Sequence, residues 1–269
     1  MNLRPDPTAS LMWPHHPVAP PHIIITMFIW GQKLASALYA AGASVGLGTA
    51  EGNRSPRFSM LPRRFAMFDR TISACKCEQL VLMGAGFESR PYNTNPECIG
   101  YAKRIFEVDR IETQRAKRQL LTKANLKNDA VTFVTVNFAT ESWSEKLLQA
   151  GFNPSVSTYF LWEGVAGYLP EEAVIRFFNE VAVHLEKNVQ SRLAFNCQYR
   201  ESHGLHSNFE RFCVYVGEPH ISTMPMDVEG YLKERAPQLK VLEHESVSDK
   251  VEGERMARGG IVLVGAKNA

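Results

Sequence analysis

Cysteine is scarce in this 269-residue chain, which has five: Cys75, Cys77, Cys98, Cys197 and Cys213. The number is odd and no C-x-x-C pair occurs. That excludes the dense disulfide scaffold of small secreted domains and predicts reduced thiols in a cytoplasmic compartment. Cys75-x-Cys77 has no matching second pair, so no metal site is expected. An excess of one charge sign is also lacking. Thirty Lys and Arg against 28 Asp and Glu leave a net charge of +2. This is not the strongly basic field of a nucleic-acid binder, and no nucleic-acid partner is expected. Long hydrophobic runs are missing too. The apolar stretch from Ile23 to Gly31 is far shorter than the roughly 20 residues that span a bilayer. Arg4 alone is a poor basic start for a signal peptide, so no stable membrane insertion is predicted.

What is present suits one sizeable core. Hydrophobic residues make up 45% of the chain, enough for a single main domain. Residues 1–22 carry six prolines and read as a disordered tail. Residues 23–269 read as one domain, with an N-terminal helical cap over about 23–60 and a lid insertion over about 197–227. Between these, apolar runs alternate with helical patterns. Strands are predicted at Gln79–Met83, Arg104–Val108, Val131–Val136, Ser157–Trp162 and Arg192–Asn196. Helices are predicted at Arg63–Cys75, Ile111–Ala124, Trp143–Ala150, Pro170–Leu185 and Val228–Arg235. Strand–helix alternation implies right-handed crossovers and a doubly wound α/β fold with a mostly parallel sheet. Lys240–His244 and Ile261–Gly265 break the rhythm and predict a closing hairpin, one strand of it antiparallel to the rest.

In open α/β sheets ligands sit beyond the carboxyl ends of the strands. After the first strand stands Gly84-Ala85-Gly86-Phe87-Glu88-Ser89-Arg90, and after the second stands Asp109. Glycine lets the backbone approach a ligand that a Cβ would push away. A carboxylate at Asp109 can accept both hydroxyls of a ribose. A tight turn and an unrelated exposed acid would use the same residues, so the weight lies on the combination. A dinucleotide site wants a third glycine, where this chain has Ser89. Glu88 beside a pyrophosphate would be electrostatically wrong. An acidic neighbourhood suits a cationic nucleoside better, and an NAD-dependent oxidoreductase is disfavoured.

Leu82-Met83-Gly84-Ala85-Gly86-Phe87-Glu88-Ser89-Arg90 resembles the L-L-G-A-G-x-D-T-R signature of the leucine carboxyl methyltransferase-like superfamily. Phe106-Glu107-Val108-Asp109 matches its F-E-V-D, and Gly151-Phe152-Asn153-Pro154 its G-F-D-P. Val136-Asn137-Phe138, followed by Trp143, stands where the family has V-D-L and a tryptophan. Trp162-Glu163-Gly164-Val165-Ala166-Gly167-Tyr168-Leu169-Pro170 resembles x-E-G-x-x-x-Y-L-P, and Gly217-Glu218-Pro219 also recurs. The likeness covers roughly residues 60–235. It implies a seven-stranded class I methyltransferase fold and S-adenosyl-L-methionine as cofactor.

The resemblance also implies roles. Arg64 would grip the methionyl carboxylate with a forked pair of hydrogen bonds, although Arg63 beside it stays open. Gly84, Ala85 and Gly86 would line the methionyl and ribose parts, and Asp109 would take the diol. Phe138 would offer its backbone N–H to the adenine. Glu163 would face the amino-acid end; an acid after Tyr159-Phe160-Leu161-Trp162 is expected to be partly buried and to need a partner. Asn137 departs from the family's Asp, which exchanges a charged hydrogen bond of ~1.5–3 kcal/mol for a neutral one of ~1.

The implied reaction is O-methylation of a carboxylate or hydroxyl on a small molecule. A protein C-terminal leucine carboxyl methyltransferase, taking a peptide tail, is the alternative enzyme. A cofactor-binding interaction protein without catalysis is the alternative outside enzymes. A carboxylate acceptor needs no general base, whereas a hydroxyl does. His203, His206, Tyr168 and Tyr199 are candidates for that role, and none is assigned to it.

Overall fold

A computed structural model describes residues 60–93, 96–202, 221–251 and 254–268. The tail at 1–22, nearly all of the cap at 23–60, most of the lid at 197–227, Cys213, His203, His206 and Gly217–Pro219 lie outside the described residues.

The described elements run in the order α1 (Met60–Cys75), β1 (Gln79–Met83), β2 (Arg104–Asp109), α2 (Ile111–Lys123), β3 (Val131–Thr135), α3 (Trp143–Gln149), β4 (Thr158–Trp162), α4 (Glu171–Lys187), β5 (Arg192–Gln198), α5 (Val228–Arg235), β6 (Leu239–Val251) and β7 (Glu254–Ala266). They build a seven-stranded sheet in the order β3-β2-β1-β4-β5-β7-β6. The first five strands are parallel to one another. β7 runs antiparallel to both β5 and β6. Chain direction across the sheet reverses between β1 and β4, which opens a crevice beyond their carboxyl ends.

β1 and β4 are buried at every position, as expected of central parallel strands covered on both faces. Alternate side chains feed two cores. Val81, Met83, Phe160 and Trp162 pack with α3 and α4 through Trp143, Phe177 and Phe178. Leu80, Leu82, Tyr159 and Leu161 pack under α1 through Met67, Phe68 and Ile72. Trp162 stacks on Phe177 with ring centroids 3.7 Å apart.

Two expectations need correction. β6 and β7 are much longer than the predicted Lys240–His244 and Ile261–Gly265. Their outer halves are too polar to read as strand, but they pair with each other from Ser246↔Gly260 to Val251↔Glu254, so backbone hydrogen bonding extends the ribbon. Cys75 and Cys77, expected as reduced thiols, are joined as a disulfide. Among the described residues no helix is long and apolar enough to cross a membrane.

Candidate cofactor site

The turn after β1 is built by backbone. Gly84 has φ +69° and Gly86 φ +44°, a region that L side chains rarely adopt. The N–H groups of Gly84 and Ala85 both donate to the Val108 carbonyl, at 2.8 and 3.0 Å. The turn is thereby tied to the end of β2. A Cβ on Gly84 would lie 2.3 Å from Val165 Cγ2. At Gly84 the close approach belongs to the loop after β4, whereas sequence reasoning gave it to a ligand. The Gly86 N–H donates to Asp109 Oδ2 at 2.6 Å, and the Arg110 N–H donates to Oδ1 at 2.7 Å. The Thr113 hydroxyl is a third donor, which leaves about one acceptor site of Asp109 for a ligand hydroxyl. Burial pushes the Asp109 carboxyl above its usual range, opposed by the two N–H donors, the Arg110 charge and the Thr113 hydroxyl.

Arg64 on α1 and Glu163 after β4 meet directly, Nε to Oε1 at 2.8 Å, with side chains 16% and 14% exposed. Arg90 holds the other oxygen of Glu163 at 3.2 Å and Asp69 at 2.7 Å. It also pairs with Glu88. Phe65 lies under both guanidinium groups, 5.5 and 5.7 Å from its ring centre. Burial pushes Glu88 up, but Arg90, the Ser89 and Arg90 N–H donors and Lys117 outweigh it, leaving the carboxyl below its ordinary range. Burial lowers Arg90, and its three acidic partners, Glu88 first, more than restore it, so it stays charged.

Asn137 and Phe138 follow β3, where the Val136 N–H donates to the Asp109 carbonyl at 3.0 Å. Asn137 is exposed, and its side-chain carbonyl accepts the Ala139 N–H at 3.1 Å. Phe138 is buried against Phe177. The structure therefore brings Arg64 to Glu163 and Gly86 to Asp109, and sets Asn137 and Phe138 beside Asp109. All lie at or after the carboxyl ends of β1 to β4, or on α1, which packs against β1 and β4.

Sequence reasoning missed Arg90 as the hub of this network. The signal was available, because Arg90 closes the matched motif. It also missed His244, whose Nε2 lies 2.7 Å from the hydroxyl of fully buried Tyr199. Burial raises the Tyr199 phenol and lowers the His244 imidazole. A surface cleft of about 380 Å³, lined among others by Glu171, Arg200, Asp227 and Tyr231, lies toward the β5 side. It is separate from the Gly86, Asp109 and Glu163 constellation.

A family model described as leucine carboxyl methyltransferase matches residues 32–182, more than half of the chain. A Parafrankia sp. protein named "Putative S-adenosyl-L-methionine-dependent methyltransferase" is 34% identical over 103 residues, covering 38% of this chain and 32% of the relative. One of the same name from Mycolicibacterium gilvum is 28% identical over 192 residues, covering 64% of this chain and 59% of the relative. The chain thus spans between about a third and three fifths of the length of these relatives. The fold is similar to the crystal structure of a "putative methyltransferase" from Thermobifida fusca, with a TM-score of 0.55 and 13% identity over 76% of this chain and 79% of that one. With its G-A-G turn, its strand-end acids and more than half of its length inside that family model, the chain belongs to the leucine carboxyl methyltransferase family.

Proposed function

We propose that this chain is an S-adenosyl-L-methionine-dependent methyltransferase acting on an oxygen of a small molecule, a carboxylate or a hydroxyl. The observation that carries the reading is the pairing of Gly86 with Asp109, with the Arg64–Glu163 pair one strand away. The donor set fits the cofactor end by end. Asp109 keeps a lone pair for a ribose hydroxyl. Arg64 and Glu163 present adjacent positive and negative groups, as a carboxylate and an ammonium on one carbon require. Relatives named for the same cofactor support the assignment.

When bound, S-adenosyl-L-methionine supplies a methyl group on a sulfonium, with a neutral thioether as leaving group. The work left to the chain is alignment and exclusion of water. Asp109, Arg64 and Glu163 fix the two ends of the donor. A carboxylate acceptor would then need no base. A hydroxyl acceptor would need one within hydrogen-bond reach, and we assign none: Tyr199 is already bonded to His244, and burial holds its phenol above the ordinary range.

The test is transfer of labelled methyl groups to a panel of small acids and phenols. Transfer confined to nitrogen or carbon acceptors would reject the oxygen assignment. The family description supports a second reading, methylation of a peptide's C-terminal leucine carboxylate. Transfer to such a peptide, and to no small acid, would favour it.

A further inference from the structure

Behind the turn that carries Arg90 lies a second charged group, sealed from solvent. Glu107 on β2 and Lys117 on α2 are 2.5 Å apart, with side chains 1% and 4% exposed. Lys117 Nζ also sits 5.4 Å from the ring centre of Tyr92. Tyr92 ends the short 3-10 helix Arg90–Tyr92, so the lysine touches the same turn whose first residue holds Glu88, Asp69 and Glu163. α2 is fixed in place one turn earlier, where Gln114 donates to the carbonyls of Glu107 and Val134 at 3.0 and 2.8 Å. Lys117 thus stands on a rigid element and faces a turn that Asn128 also holds, donating to the Pro91 carbonyl at 2.6 Å, and whose Tyr92 phenol bonds to Glu107.

From this arrangement we propose that Lys117 is a positioning residue for the cofactor site. It fixes the turn at 88–92 through Tyr92 and the Glu88 side, and so sets where Arg90 holds the Glu163 carboxylate. The claim rests on the cofactor reading for Glu163. Electrostatics agree: Lys117 acts on Glu88 as well as on Glu107, and the two acids also act on each other.

The test separates neutralising Glu107 from holding the turn. Lys117→Met alone leaves Glu107 buried without its cation and should lower the melting temperature. Lys117→Met with Glu107→Gln removes both charges and should restore most of it. Two readouts are then taken on the full chain, with Glu107→Gln alone as the reference because Glu107 also bonds to Tyr92: S-adenosylhomocysteine affinity by calorimetry, and hydrogen exchange at the amides of 89, 90, 92 and 93. In the double variant we expect affinity to stay down about tenfold, a coupling within the range for residues sharing one network. We also expect those amides to exchange faster than in the reference. Recovery of both affinity and protection along with melting temperature would overturn the proposal and leave Lys117 a counter-ion for Glu107. If the native chain bound no S-adenosylhomocysteine, the cofactor reading would fall, and exchange at 89–93 would still decide whether Lys117 holds the turn.

Discussion

Two ion-pair systems flank the turn after β1, and they differ in what surrounds them. Glu107–Lys117 is closed in, with side chains at most 4% exposed. Arg64–Glu163 sits at the open edge, with both side chains about 15% exposed and Arg90 as a third member. A closed pair must be complete, because removing one partner strands a charge where water cannot reach it. An open pair can exchange partners, because water and a ligand can reach it. The first is suited to hold a shape, and the second to hold a ligand.

Lys117→Met should break the closed pair with the largest effect, costing ~3–5 kcal/mol of stability as for other split buried pairs. Urea unfolding measures it, and a loss under 1 kcal/mol would mean that Glu107, already pushed up by burial, takes up a proton or reaches solvent. Gly84→Ala comes next. It forces a Cβ into Val165 at a positive φ and should cost ~2–3 kcal/mol. Adding Val165→Ala should return part of that; an unchanged loss would put the whole cost on the backbone. Arg64→Ala should spare stability by comparison and weaken S-adenosylhomocysteine binding by ~1.5–3 kcal/mol, read by calorimetry. Asp109→Ala should weaken the same binding by about 1–3 kcal/mol with the fold intact. Equal affinity in that variant would remove the diol contact. The smallest effect is expected at Arg63, whose pair with Glu245 is 54% and 39% exposed. Arg63→Ala should change stability by no more than ~0.5 kcal/mol and leave binding unchanged. A binding loss matching that of Arg64→Ala would reopen the choice between the two arginines.

The parallel half of the sheet was legible in the sequence because strands buried on both faces read as unbroken apolar runs, as Gln79–Met83 and Thr158–Trp162 do. The outer half of the β6–β7 ribbon was not legible. His244-Glu245-Ser246 has no apolar run, and its pairing depends on backbone groups that every sequence carries. The same division holds at the site. Gly86 and Asp109 stand at strand ends whose spacing suits one crossover, and their contact follows from β1 lying beside β2. Arg90 meets Glu163 across 73 residues, and no local pattern encodes that distance. Lys117 lies among Arg115, Lys117 and Arg118 on α2. Charge gives no sign of which of them is buried; the fold shows that Lys117 is, while Arg115 and Arg118 are exposed.

The account depends on a donor pocket shared by β1, β2 and β4. Titration of the native chain with S-adenosylhomocysteine tests it most directly. We predict saturable binding of one molecule per chain, with affinity lost in parallel by Arg64→Ala and Asp109→Ala. Absence of binding heat in a chain that melts cooperatively would contradict it.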